Sequence, residues 1–394
     1  MAELTPSQRT WKAFKQNKIA VAGLVFIILS VVIALLGYLI MPDSTPRANN
    51  MIIQLSVKKP GATFTMLQIR KSEPVDTVNP FRKMLFGQPA FFKEVPIKGY
   101  HFAHDSIYVD EYIGDEDKPE EKGYSVVEVL TGKKTSDLVK FKSEYGPILV
   151  NAKQLEDKIV SEQIVKRTFW LGTDTYGRDL LSRLILGARV SLAVGFMSVI
   201  ISLLLGITVG AVAGYFGGWI DASLSWLMNI LWALPALLLV IAISFALGKG
   251  LWEVFIAVGL SMWVEVGRLV RGQVLSLKQV EFVEAARSLG FNNVRIIRRH
   301  ILPNIIGPIL VLASSNFASA ILLEAGLSFL GFGAQPPTPT WGSMIKEHYG
   351  YIIMNSAYLA VLPGLAIMLM VYAFNLVTVG LRDAFDIKSQ STRI

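Results

Sequence analysis

The chain has 394 residues, of which 52% are hydrophobic and only 17% charged, a balance that excludes an ordinary soluble globular protein. It contains no cysteine, which excludes disulfides, thiolate metal sites and cysteine nucleophiles. The net charge of +8 first suggests nucleic acid, but the basic residues cluster at the ends of apolar stretches, so no nucleic-acid partner is expected.

Residues 1–18 carry Arg9, Lys12, Lys15 and Lys18 and are expected in the cytoplasm. Ile19 to Ile40 follows without a single charge, about 33 Å of helix, which matches the hydrocarbon thickness of a bilayer. Residues 19–41 therefore read as a first transmembrane helix. The run is longer than the apolar part of a signal peptide and lacks a small-x-small cleavage site, which argues for a retained span.

Residues 42–169 have a different composition, with frequent charges and prolines. Ile53, Leu55 and Val57 alternate with polar residues, and Val127 and Val129 flank Glu128, a period-two pattern that predicts half-buried strands. This segment is expected to be an extracytoplasmic, mainly β insert. Asp115, Glu116, Asp117, Glu120 and Glu121 lack the spacing of a calcium loop and read as a solvated loop. His101, His104 and Asp105 have no second ligand cluster and read as ordinary strand or turn residues, so no metal is expected.

Residues 170–387 hold five further apolar stretches, at about Val190 to Phe216, Ala222 to Leu247, Leu251 to Val264, Leu302 to Leu323 and Ala357 to Leu381. The fourth is short, carries Glu253, and is expected to extend through Glu265 and Val266 toward Arg268. The fold class that follows is an α-helical polytopic membrane protein, with six transmembrane helices and a mainly β extracytoplasmic insert between helices 1 and 2. Fourteen Lys and Arg lie in the N-terminal segment, between Arg268 and Arg299, and in the tail at Arg382, Lys388 and Arg393, against Lys249 and Lys346 on the other side. The positive-inside rule then places both termini, including the tail 388–394, and the loop 265–302 in the cytoplasm of a multi-pass inner-membrane protein.

That loop contains Glu281-Phe-Val-Glu-Ala-Ala-Arg-Ser-Leu-Gly290, then Phe291 to His300, then Ile301-Leu-Pro303. Ala285 and Ala286 favour helix and permit close approach of another surface. Gly290 can take a left-handed conformation and end the helix, and Pro303 suits the first turn of the next span. These residues alone leave two readings open, a docking element for a cytoplasmic partner and an inert amphipathic connector.

The spacing of Glu284-Ala285-Ala286, Gly290 and His300-Ile301-Leu302-Pro303 resembles the signature loop of ABC importer permeases. Histidine at position 300 is similar to the dipeptide, oligopeptide and nickel branch. Two more segments resemble that branch, Leu171 to Arg189 with Asp174, Gly177, Arg178, Asp179 and Arg183, and Glu324 to Gly342 with Gln335, Pro336, Pro337 and Trp341. The resemblance implies the second, C-type permease of a pair. It also implies a homologous partner permease, two cytoplasmic ATPases, an extracytoplasmic solute-binding protein and the lipid bilayer as partners. Glu281, Glu284, Ala285, Ala286, Gly290, Arg295, Arg298 and Pro303 become the ATPase-coupling residues. Arg178, Asp179, Glu324, Gln335 and Trp341 become candidates for an outer gate or pathway.

Each outer motif also has a physical reading. Gly172 to Asp179 offers turn and cap chemistry before an apolar helical face of Leu180, Leu181, Leu184 and Ile185 opposite Arg183, expected as an interfacial helix at the outer surface. Glu324 lies in apolar sequence and must be paired or face water, at the helix end or in a polar lining. Three departures from the branch are visible: Asn229 where aspartate is frequent, Thr378-Val379 in place of Gly-Asp, and the large insert. No phosphate-binding loop is present, since Gly132-Lys133 lacks its upstream glycine. The chain is expected to be a transport subunit without enzyme activity or cofactor, with ATP and Mg bound by the partner ATPases. An ion-gradient-driven secondary carrier is the alternative, and an exporter-type ABC subunit a third reading. Peptides lead the substrate classes, with nickel complexes and other small solutes behind them.

Overall fold

The computed structural model describes residues 5–115, 117–133, 152–248 and 250–391. Glu116 of the acidic run, Lys249, Arg393 and the last residues of the tail 388–394 lie outside the described residues. The chain forms two compact units, Met1–Ala34, Gly187–Gly350 and Ala360–Ile394 in one, and Leu35–Leu186 with Tyr351–Leu359 in the other.

The first unit is helical. A short basic helix, Pro6–Gln16, starts in a capping box in which Thr5 and Gln8 satisfy each other's backbone N–H groups. Asn17 ends it and accepts from the Ala20 N–H at 3.1 Å, opening the next helix, Lys18–Ile40. Among the described residues, four helices are long and apolar enough to cross a membrane, Lys18–Ile40, Leu180–Phe216, Ile306–Leu330 and Tyr358–Asp386. A fifth span results if the pair Gly218–Ala233 and Ala236–Leu247, bent by 99°, counts as one. The bend has a local cause. Leu234 is extended (φ −84°, ψ 135°) ahead of Pro235, as a residue before proline prefers, and proline has no N–H to continue the ladder.

Three expectations change here. The fourth stretch forms a helix of 27 residues, Leu251–Leu277, but Glu253, Glu265, Arg268 and Arg271 keep it outside the apolar class, so six spans are not found by length and composition. The segment Leu180 to Arg189 is no separate interfacial helix. It is the beginning of one continuous helix, Leu180–Phe216, because no glycine-proline break interrupts its apolar run. Pro303 is not in the first turn of the following span either. It sits in a 3₁₀ turn, Leu302–Asn304, before the Ile306–Leu330 helix.

The Leu180–Phe216 and Leu251–Leu277 helices approach closely along Gly206, Gly210 and Gly214. A Cβ at Gly214 would stand 2.8 Å from the Arg271 carbonyl and 2.9 Å from Val274 Cβ. Small residues at this four-residue spacing permit backbone contact between helices where apolar burial alone gives no driving force. Arg271 adds a two-pronged pair to Asp221, at 2.5 Å from Nε and 2.8 Å from Nη2, which joins the Gly218–Ala233 helix to the same core.

The second unit contains a five-stranded antiparallel sheet in the order β4-β3-β2-β1-β5, with β1 Ala62–Arg70, β2 Phe92–Ala103, β3 Ser106–Glu111, β4 Glu120–Ser125 and β5 Ile164–Phe169. On β1, Leu67 and Ile69 face one cluster with Val95, Val109, Val126 and Ile159. Met66, one residue out of phase, joins Ile52, Leu55, Tyr112 and Phe169 on the opposite face. Each such side chain contributes about 1.5–3 kcal/mol when fully buried.

Neither stretch expected as a strand is one. Ile53–Leu55 is a 3₁₀ turn, followed by Val57 at φ 54°. Val126–Thr131 is a short helix ended by Gly132 in the left-handed region, because Val126 and Val129, three residues apart, make one buried helical face. His104 takes φ 54° in the two-residue β2–β3 turn, and His101 stacks on Tyr108 and pairs with Glu121 at 3.7 Å.

Candidate functional site

The segment from Glu281 to Asn304 is a chain of short helical pieces. The Glu281–Ser288 helix has Glu281 and Glu284 in its first turn and Arg287 in its last, each placed to favour the helix dipole. Gly290 takes φ 80°. The Phe291 N–H reaches the Ala286 carbonyl at 3.2 Å and the Gly290 N–H the Arg287 carbonyl at 2.9 Å, the paired bonds of a Schellman termination. Asn292 then caps Asn293–Ile296 by accepting from the Arg295 N–H at 2.8 Å, and a π-turn, Ile297–Ile301, continues to Pro303.

This bent segment has two faces. Val283, Ala286, Ile296, Ile301 and Ile305 are buried together with Val266, Val270, Val274, Ala211 and Ile309, so one side is keyed into three long helices. Tyr215 donates to Asn293 Oδ1 at 3.0 Å, and Phe291 stacks on His300 at 5.8 Å. The other side exposes Glu281, Glu284, Ala285, Arg295 and Arg298. Ala286, grouped with the docking residues on sequence, is 3% exposed and packs inward. Ala285 is the alanine of the pair left on the exposed side.

The outer-motif residues are brought into two local networks. Asp174 is fully buried and accepts from the N–H groups of Tyr176 at 2.9 Å and Arg178 at 3.0 Å, and from Arg178 Nε at 2.5 Å. Arg183 lies 3.3 Å from the same carboxylate. Asp179 accepts from the N–H and hydroxyl of Ser182, at 2.8 and 2.5 Å, and so caps the Leu180–Phe216 helix. Burial pushes the Asp179 carboxyl up from its ordinary value, against the pull of Ser182. Arg178 and Asp179 are 2% and 1% exposed. They hold a turn together.

Glu324, 1% exposed, accepts from the hydroxyls of Ser191 at 3.0 Å and Ser328 at 2.7 Å, and Thr340 hydrogen bonds to it as well. Thr340 also caps the Trp341–His348 helix through the Ser343 N–H at 3.1 Å. Trp341 is buried against Gly187, where a Cβ would meet Trp341 Cδ1 at 2.9 Å. Glu324 therefore clamps two helices and a loop, and Trp341 is buried as well. Gln335 alone of this group is exposed, donating to the Gly333 carbonyl at 2.9 Å. Sequence reasoning missed the charged group at the other end of this unit, where Arg268 donates to Asn229 Oδ1 at 2.6 Å and stacks on Trp232 at 3.5 Å. The departure at Asn229 was its only signal.

Residues 206–389 match the family described as binding-protein-dependent transport system inner membrane component, and residues 5–55 the N-terminal transmembrane domain of oligopeptide transport permease C. The dipeptide transport system permease protein of Alkalihalophilus pseudofirmus is 46% identical over 222 residues, 56% of this chain and 73% of that one. The chain belongs to the binding-protein-dependent inner membrane permease family. The glutathione transport system permease of Pectobacterium atrosepticum is 44% identical over the same shares, and that of Escherichia coli O6:K15:H31 is 45% identical over 219 residues, 56% of this chain and 72% of that one. An inward-facing methionine ABC transporter chain covers 51% of the permease with 97% of its own length, at TM-score 0.41 and 20% identity. By its family and these sequence relatives, the permease is a multi-pass inner-membrane subunit of a binding-protein-dependent transport system.

Proposed function

We propose that this permease forms half of a path for short peptides, is powered by two cytoplasmic ATPases that bind ATP and Mg, and is fed by an extracytoplasmic binding protein. A second, homologous permease supplies the other half. In this reading the termini and the Glu281–Asn304 segment are cytoplasmic. The bent pair and the Leu251–Leu277 helix complete six spans, and residues 42–169 lie outside the membrane.

The observation that carries the reading is the two-faced Glu281–Ser288 helix. Its exposed acidic face is available to a partner, while Val283 and Ala286 are packed among the Leu180–Phe216, Leu251–Leu277 and Ile306–Leu330 helices. A push on the exposed face is carried by close-packed side chains into three helices, which shifts the population between inward-open and outward-open arrangements. Glu281, Glu284 and Ala285 touch the ATPase, Arg295 and Arg298 add basic contacts, and Gly290 sets the bend.

The dipeptide and glutathione cargoes named for the relatives support short peptides as substrates. The test is uptake of labelled dialanine by proteoliposomes holding the permease pair and its ATPases, supplied with the binding protein. ATP-dependent uptake is expected. Uptake that survives without ATP and collapses with the proton gradient would establish the secondary carrier instead.

A further inference from the structure

A cavity of about 470 Å³ opens in the helical unit between the Leu251–Leu277, Ile306–Leu330 and Tyr358–Ser391 helices, with Trp232 at its edge. Its volume lies in the range of small-molecule sites. Each long helix presents one face at helical spacing, Glu265, Arg268 and Leu269 from the first, Pro308, Leu312 and Ser315 from the second, and Thr378, Arg382 and Phe385 from the third.

The cavity holds two acids, Glu265 and Asp386, and two arginines, Arg268 and Arg382. Arg268 bonds to the neutral amide of Asn229 and to the Trp232 ring, which hold its position without an ion pair. Glu265 and Arg382 have no hydrogen-bond or ion-pair partner among the described residues. In the topology proposed above these charges lie toward the cytoplasmic side of the helices, where a solute leaving the path would meet them. We infer that this cavity is a binding station for a short peptide with free ends, Glu265 receiving the ammonium group and Arg382 with Arg268 the carboxylate. Trp232, Leu312 and Phe385 provide the apolar surface for a side chain. The inference rests on the transporter reading and adds the place where the solute is held.

The test uses the permease pair with its ATPases, without binding protein, in phosphatidylcholine nanodiscs. Binding of radiolabelled dialanine is measured by equilibrium dialysis. Saturable binding is expected, with no competition by N-acetyl-dialanine amide. Glu265→Gln and Arg382→Gln should each weaken it about tenfold, as loss of one charged hydrogen bond implies, and Arg382→Lys should retain it. Co-elution of the ATPases reports correct assembly. Equal competition by the blocked peptide, unchanged binding in both neutral variants, or saturation by phosphatidylglycerol and not dialanine would overturn the site. ATP-dependent uptake in the proteoliposome assay by a transporter that does not bind dialanine would sink the cavity alone, whereas absence of uptake there would sink the transport reading.

Discussion

The Phe291 backbone N–H donates to the Ala286 carbonyl at 3.2 Å, and this bond closes only because Gly290 between them takes φ 80°. Residues with a Cβ pay about 1–2 kcal/mol in that region. An added Cβ at Gly290 would nevertheless meet nothing within 4 Å. Gly290→Val is therefore expected to leave folding intact, with unfolding temperature lowered by a few degrees, while tilting the Glu281–Ser288 helix. Pull-down of the ATPases and dialanine uptake should both fall. Full uptake at reduced stability would remove Gly290 from the coupling element.

Ala285 and Ala286 are neighbours with opposite surroundings, one exposed and one 3% exposed. Ala286→Asp places an unpaired carboxylate among Val283, Val270 and Ile296, at a cost of several kcal/mol, and is expected to abolish stable expression. Ala285→Asp should express normally and lose ATPase association. Fluorescence size-exclusion profiles of the two variants check the difference, and equal profiles would contradict the placement.

Glu324→Ala leaves the hydroxyls of Ser191, Ser328 and Thr340 without their acceptor, at about 1–3 kcal/mol for each buried group left unsatisfied. Thermal unfolding in detergent should show a large loss of stability. Glu324→Gln keeps one acceptor oxygen and should retain a good part of it. If uptake fell in both variants with no change in stability, Glu324 would be a transport residue and not a clamp.

How much of this was legible in the sequence depends on the kind of signal. Long uncharged runs such as Ile19 to Ile40 report a bilayer directly, and the Gly290 stop and the Asn292 cap follow from local backbone chemistry. Orientation of single side chains was not legible. Glu284, Ala285 and Ala286 are consecutive, and only the packing of Val283 three residues before Ala286 decides which alanine turns inward. The turn and cap chemistry of Gly172 to Asp179 was legible because Asp174 and Arg178, and Asp179 and Ser182, are near neighbours in the chain, whereas the Ser191 partner of Glu324 is 133 residues away and no spacing declares it. Short alternating runs misled at Ile53 to Val57 and Val126 to Val129, where three or four residues fit a turn or one helical turn as well as a strand.

In the sheet-containing unit, Lys58 donates to Asp115 at 2.7 Å and to the Tyr112 hydroxyl at 2.5 Å, and Tyr112 donates to Asp115. The hydrogen bond from Lys58, with that from Tyr112, holds the Asp115 carboxyl below its ordinary value of 3.8. For Lys58, burial works downward, but the bonds to Asp115 and Tyr112 leave its ammonium group above its ordinary 10.5. A depressed carboxylate stabilises the fold above its unfolded value and loses that contribution as pH falls through the folded one. A raised lysine stabilises below its unfolded value and loses it as pH rises through the folded one. Asp115→Asn should therefore lower the unfolding temperature slightly at neutral pH and converge with the parent below pH 3.8. A constant difference across the acid range would dismiss the Lys58–Asp115 pair as its cause.

The coupling claim is tested most directly by cross-linking, since the chain has no cysteine of its own. Ala285→Cys and Ala286→Cys are placed singly in the assembled transporter, with a cysteine on the ATPase surface, and joined by a short bifunctional reagent with and without ATP. The account predicts an ATP-dependent link to the ATPase from position 285 and none from position 286. Linking from neither position in a transporter that still shows ATP-dependent uptake would contradict it.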